Sequence, residues 1–111
     1  MKPQADYAAF ANLDIRVGKI VAVEDANTKK PLYRIMADFG PEIGTKVSCG
    51  GFTRYPKEAL LGKQVVAVVN LPPKPMGPET SEILILAAMN EQGEPITLTP
   101  DVEAPLGAAV F

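Results

Sequence analysis

The chain has no histidine, no tryptophan and a single cysteine, Cys49. Without histidine, the usual general base near neutral pH and the commonest zinc ligand are missing. One thiol with no imidazole offers neither a thiol–imidazole nucleophile nor a structural zinc site. It cannot close an internal disulfide either, which fits a reducing, cytoplasmic setting. No Gly-x-x-x-x-Gly-Lys or Gly-x-Gly-x-x-Gly stretch marks a phosphate-cradling nucleotide loop. The longest strictly apolar run, Ile83–Met89, is seven residues, far short of the ~20 that a spanning helix needs. Met1-Lys2-Pro3-Gln4-Ala5-Asp6 leads into no apolar core, so no secretory signal is expected. Adjacent carboxylates such as Glu24-Asp25 read as a solvated turn. Together these absences argue against an enzyme, a metal centre and a bound cofactor, and against membrane insertion.

What is present suits one small globular domain. Of 111 residues, 47% are hydrophobic and 22% charged, enough apolar matter to fold rather than stay disordered. Twenty residues are glycine or proline, too many for a long-helix bundle and fitting for short strands joined by tight turns. Ala5–Ala11 has room for one or two helical turns, with Tyr7 and Phe10 three apart on one face. Ile15, Val17, Val21 and Val23 alternate as in a half-buried strand, interrupted by Gly18. Tyr33, Ile35, Ala37 and Phe39 alternate on one face of a second strand, which makes them core candidates. Thr45–Cys49 reads as a third strand, broken by Gly50-Gly51. Pro56 and Gly62 bracket a short helix. Gln64–Leu71 and Ser81–Met89 read as two further strands, and the proline-rich Pro72–Thr80 as an irregular exposed loop. Five strands with a short helix before the fourth suit an all-β, partly open Greek-key barrel; periodicity does not encode strand order, and other small barrels share this pattern.

Charge is unevenly spread. Residues 16–74 hold ten cations against five anions, whereas residues 75–111 hold six anions and no cation. Such asymmetry suggests a face for an anionic partner, most simply a phosphate backbone. The competing reading is that folding intermixes the two segments into a mottled surface.

Three stretches carry a family resemblance. Asp14-Ile15-Arg16-Val17-Gly18-Lys19-Ile20 resembles the opening strand of the tRNA-binding domain family, OB folds found free-standing and attached to aminoacyl-tRNA synthetases. Asn70-Leu71-Pro72-Pro73-Lys74 through Ser81-Glu82 is similar to that family's second signature, and Tyr55-Pro56 to Lys63 to its helix. Phe10–Arg16, Asp38–Lys46, Lys63–Asn70, Ser81–Leu84 and Thr99–Asp101 are closer still to the CsaA branch, small homodimers described as export-related chaperones. The likeness runs over essentially the whole chain.

The resemblance implies a five-stranded Greek-key OB-fold barrel over residues 12–99, no catalysis, and a dimer contact made by extensions at 1–11 and 100–111. Tyr7, Phe10, Leu106, Val110 and Phe111 are the expected interface; the alternative is that each completes the domain's own core. For tRNA, the matching positions are Asn70, Lys74, Met76 and Ser81, with Arg16, Lys19, Arg34, Lys46 and Arg54 adding attraction to the backbone. Asn70 reads equally well as a strand-end residue satisfying backbone groups. Pro75, Gly77 and Glu79 depart from the basic pattern of the family's RNA binders, which lowers the expected counterion release. For an unfolded, export-bound preprotein, Phe52, Leu71 and Met76 would line an apolar groove, with Glu79 and Glu82 receiving its positive end. A third reading is an accessory subunit that supplies RNA or substrate binding to a separate enzyme.

Overall fold

A computed structural model describes all 111 residues. Its frame is β1 (Ile15–Asp25), an 11-residue strand long enough to serve two partners. Its first half, Ile15–Lys19, pairs antiparallel with β4 (Gln64–Val68), and its second half with β2 (Tyr33–Asp38). Between Ile20 and Ala22 the register slips. The bulge turns Val21 outward, where it is 49% exposed, and bends the strand around the core. β3 (Thr45–Gly50) adds to β2, and the two-residue β7 (Leu84–Ile85) to β4, so the sheet runs β3-β2-β1-β4-β7.

The remaining gap, between β3 and the chain before β7, is sealed by a mixture of backbone and side chain. The Glu82 N–H donates to Val47 O at 2.8 Å, and Val47 N–H donates back to Glu82 Oε1 at 2.9 Å. Cys49 N–H donates to Ser81 Oγ at 3.1 Å. The result is a nearly closed five-stranded antiparallel barrel of the OB type, as expected. Its core holds the alternating β2 residues Tyr33, Ile35 and Ala37, Phe39 just past the strand's end, and Ile20, Val65, Ala67, Ile85, Phe52 and Leu60. Leu60 comes from α2 (Lys57–Leu60), the short helix before β4, and is fully buried.

Two segments differ from the sequence reading. Pro72–Thr80 is not irregular throughout: β5 (Lys74–Met76) and β6 (Glu79–Ser81) form a hairpin. Gly77 makes its turn, with φ of +63° that a side chain would strain. Ser81–Met89 is not one strand. It bends after β7 into β8 (Ala87–Met89), which leaves the barrel and pairs with β9 (Pro95–Thr97).

The ends sit differently from each other. α1 (Tyr7–Ala11) buries none of its residues. The C-terminal tail lies along the first half of β1: Val17 N–H donates to Ala108 O at 3.0 Å, Gly107 N–H to Val17 O at 2.8 Å, and Val110 N–H to Ile15 O at 2.8 Å. It occupies the edge that β1 loses where β2 diverges.

Candidate functional site

The β5–β6 hairpin stands between two depressions that share Met76. On one side a groove of about 620 Å³ runs between the end of β3 and β7. Phe52, Leu71, Pro72, Ile83, Leu84 and Ile85 make its apolar wall, and Lys74 and Glu82 supply charge. On the other side a cleft of about 530 Å³ lies against the β1–β2 loop, with Asn27 to Lys30 and Leu32 facing Gly77 and Pro78. A third, polar depression of about 390 Å³ holds Lys19 and Gln64 beside Asp101 and Glu103 of the tail.

The structure thus brings Phe52, Leu71, Met76 and Glu82, named for a peptide groove, into one wall together with Lys74 and Ser81, named for RNA. Their freedom differs. Phe52 is only 4% exposed and belongs chiefly to the core. Ser81 is buried, accepting from Cys49 N–H and donating to Ile83 O at 3.1 Å. The Glu82 carboxylate is engaged by Val47 N–H. Glu79 lies away from the groove: its Oε2 accepts the Asn27 N–H at 2.8 Å, and Oε1 is 3.5 Å from Arg34 Nε. Asn70 stitches the ends of the barrel, taking the Asp14 N–H on Oδ1 at 2.8 Å and giving Nδ2–H to Asn12 O at 2.9 Å.

The cations fall into two classes. Arg16 is locked to Asp14 (Nε to Oδ1 2.5 Å) and donates to Gly107 O; the hydrogen bond to Asp14 raises its pKa further. Arg34 is shared between Glu24 and Glu79. Arg54 lies 4.6 Å over the Tyr55 ring, with Nε 3.9 Å from Glu94. By contrast, Lys19, Lys46 and Lys74 have no carboxylate within 4 Å. The same holds for Lys29 and Lys30, which the sequence reading counted as charge without assigning to a site. Their signal was positional: in an OB barrel the loop after β1 and the loop after β4 flank the ligand face.

Aromatic stacking surface is sparse. Tyr33 and Phe39 are core, 8% and 1% exposed, and Tyr33 donates its hydroxyl to Tyr55 O at 2.8 Å. Tyr55 is half-buried under two cations, with Lys63 Nζ 4.5 Å from its ring. Burial pushes its hydroxyl up, but the Thr97 N–H bond and the charges of Lys63 and Arg54 outweigh this and bring the pKa below its usual value. No cluster of metal-ligating side chains occurs, and no helix is long and apolar enough to cross a membrane.

The profile of the family described as "Putative tRNA binding domain" matches residues 15–109, essentially the barrel and its tail. The chain belongs to the tRNA-binding domain family. Methionine--tRNA ligase of Pyrococcus horikoshii is 44% identical over 106 residues, which is 94% of this chain and 14% of that enzyme. The ligase of Methanosarcina mazei is 37% identical over 108 residues, 97% of this chain and 15% of the enzyme. The chain therefore spans about a seventh of the length of these relatives. Among solved structures, chaperone CsaA of Bacillus anthracis superimposes with a TM-score of 0.92 at 38% identity, covering 98% of this chain and all of that one. The MetRS related protein of Pyrococcus horikoshii gives 0.86 at 28% identity, covering 99% and all of that chain. Within the tRNA-binding domain family the likeness thus reaches both chaperone-type and synthetase-related members.

Proposed function

We propose that this chain is a non-catalytic tRNA-binding protein of the cytoplasm that grips the RNA backbone with the β1–β2 loop and the β5–β6 hairpin. The observation that carries this reading is the distribution of unpaired charge. Lys29 and Lys30 on the β1–β2 loop and Lys74 on the hairpin have no internal carboxylate partner, while Arg34 and Arg54 each have a carboxylate within 4 Å. An unpaired ammonium can exchange its counterion for a phosphate without first breaking an ion pair. Lys19, Lys46 and the partly engaged Arg16, Arg34 and Arg54 add longer-range attraction, and Met76 between the two depressions offers an adaptable apolar contact. Asn70 and Ser81 act here by holding the surface in shape, their hydrogen bonds already being taken up within the fold.

The test is a titration of labelled tRNA at low salt and at ~0.15 M salt. Saturable binding that weakens steeply with salt supports the reading; no binding at low salt overturns it.

The apolar groove favours a second reading, a chaperone for unfolded preproteins. Leu71 and Leu84 offer exposed apolar surface for an extended segment over a floor of buried Phe52 and Ile83, and Glu82 an acidic neighbour. Slower aggregation of an unfolded client, lost on Leu84→Glu, supports it. In either role we propose a homodimer. α1 has five residues and no buried side chain, too little to hold itself together in water. Tyr7 is 79%, Phe10 44%, Leu106 38% and Phe111 102% exposed; Val110 is half-buried. A second copy would cover these groups. Sedimentation that reports a monomer at all concentrations would exclude it. Loss of the dimer in Tyr7→Ser/Phe10→Ser would support it.

A further inference from the structure

Glu79 is satisfied by groups outside its own hairpin. The backbone N–H of Asn27 reaches Oε2 at 2.8 Å, and the Arg34 guanidinium faces Oε1 with Nε at 3.5 Å. The side chain is only 15% exposed. Asn27 itself lines the 530 Å³ cleft, in which Lys29 and Lys30 are the neighbouring cations. A backbone amide and a guanidinium are thus gathered around one small anion, beside a cleft lined by two lysines that have no carboxylate partner. That donor set is the one proteins present to a phosphate group. The anion it now holds is a carboxylate from the chain itself, on β6 of the hairpin.

We propose that the Asn27 amide and the Arg34 guanidinium, at the edge of the cleft that Lys29 and Lys30 line, form a phosphate-binding site, occupied by Glu79 as an internal stand-in that a phosphodiester of the bound RNA displaces. The site rests on the RNA reading above and gives that reading a specific contact. Glu79 then sets the affinity: each binding event must first move its carboxylate away from Arg34 and Asn27. Because Glu79 also anchors β6 to the β1–β2 loop, displacement frees the hairpin that separates cleft from groove.

The experiment uses the full chain and two probes, orthophosphate and labelled tRNA. Glu79→Ala vacates the niche; Glu79→Gln removes the charge but keeps an acceptor for Asn27, and it serves if the alanine variant loses the hairpin. In Glu79→Ala, the Asn27 backbone amide is expected to shift saturably as orthophosphate is added, while the wild type responds weakly. Both Glu79 variants are expected to bind tRNA about three- to fivefold more tightly, the scale of one partly exposed ion pair. That gain should vanish when Arg34→Gln is added. A gain of the same size without Arg34 would reflect bulk charge alone and overturn the proposal, as would an Asn27 amide in Glu79→Ala that ignores phosphate. If Asn27 responds to phosphate but no form of the protein binds tRNA, the phosphate site stands and the RNA reading fails.

Discussion

Gly18 of β1 lies directly against the ring of Phe39, so that a Cβ at Gly18 would come within 2.6 Å of Phe39 Cε1. Phe39 is 1% exposed and among the largest fully buried side chains, and a close-packed core gives the ring little room to yield. Gly18→Ala is therefore expected to cost about 1–3 kcal/mol through overpacking. Urea unfolding checks this as a lower midpoint at constant slope. Phe39→Leu in the same chain should recover part of the loss, because it removes the atoms that clash. An unchanged midpoint in Gly18→Ala alone would mean the ring moves freely.

The seam of the barrel makes a second prediction. Ser81 Oγ is the acceptor for the buried Cys49 N–H. Ser81→Ala would leave that amide unsatisfied, at a cost of about 1–3 kcal/mol. Because the hydroxyl serves the fold, tRNA affinity of the folded Ser81→Ala protein should match that of the wild type. A variant that kept full stability but bound tRNA more weakly would return Ser81 to the list of ligand contacts.

Much of the barrel was legible because its strands are regular. Tyr33, Ile35, Ala37 and Phe39 alternate without interruption, and all four are buried. The helix before β4 was marked by Pro56 and Gly62, and Leu60 anchors it. The Pro72–Thr80 hairpin was not legible, since proline density normally signals an irregular loop. Here Pro75 sits across from Thr80 in a three-residue ladder closed by Gly77. The continuous apolar run Ile83–Met89 carried no mark of the bend that takes β8 out of the barrel. For the site, residue type named Lys74, Met76 and Leu71, but it could not say which charges were already spent. Arg16, Arg34 and Arg54 looked available in the sequence, and each has a carboxylate beside it in the fold. Those partners come from Asp14, from Glu24 and Glu79, and from Glu94. Apart from Asp14, they lie 10 to 45 residues away along the chain, a pairing that only tertiary structure sets.

Cys49 yields a pH-dependent prediction. Burial, with a smaller contribution from the nearby Glu79 charge, raises its thiol pKa above the ordinary 9.0. The folded state then holds the proton where the unfolded chain has released it. The stabilisation is fully present below pH 9.0 and is lost as pH rises from there through the folded value. Cys49→Ala removes this dependence, so the stability difference between wild type and variant should narrow from pH 7.5 to pH 10 in matched urea titrations. In the native protein at neutral pH, iodoacetamide should label Cys49 slowly, and it should do so quickly in urea. Rapid native labelling would contradict both the burial and the raised pKa.

The division between spent and unspent cations gives the sharpest functional test. Lys29 and Lys30 face the cleft without a carboxylate partner. Arg54 is stacked on Tyr55 and sits near Glu94. If backbone phosphates are held by free ammonium groups, Lys29→Gln and Lys30→Gln should each weaken tRNA binding. Each should also flatten the plot of log affinity against log salt by about 1, the counterion count of one phosphate contact. Arg54→Gln should leave that slope nearly unchanged, because its charge is already partly compensated and removing it also frees Glu94. The two outcomes pull apart in one measurement, tRNA titration over a series of salt concentrations. A slope that falls as much for Arg54 as for the lysines would mean that the whole basic segment acts as a diffuse field, with no gripping loops. A slope unmoved by either lysine would shift the RNA contact away from the cleft, toward the groove that Lys74 lines.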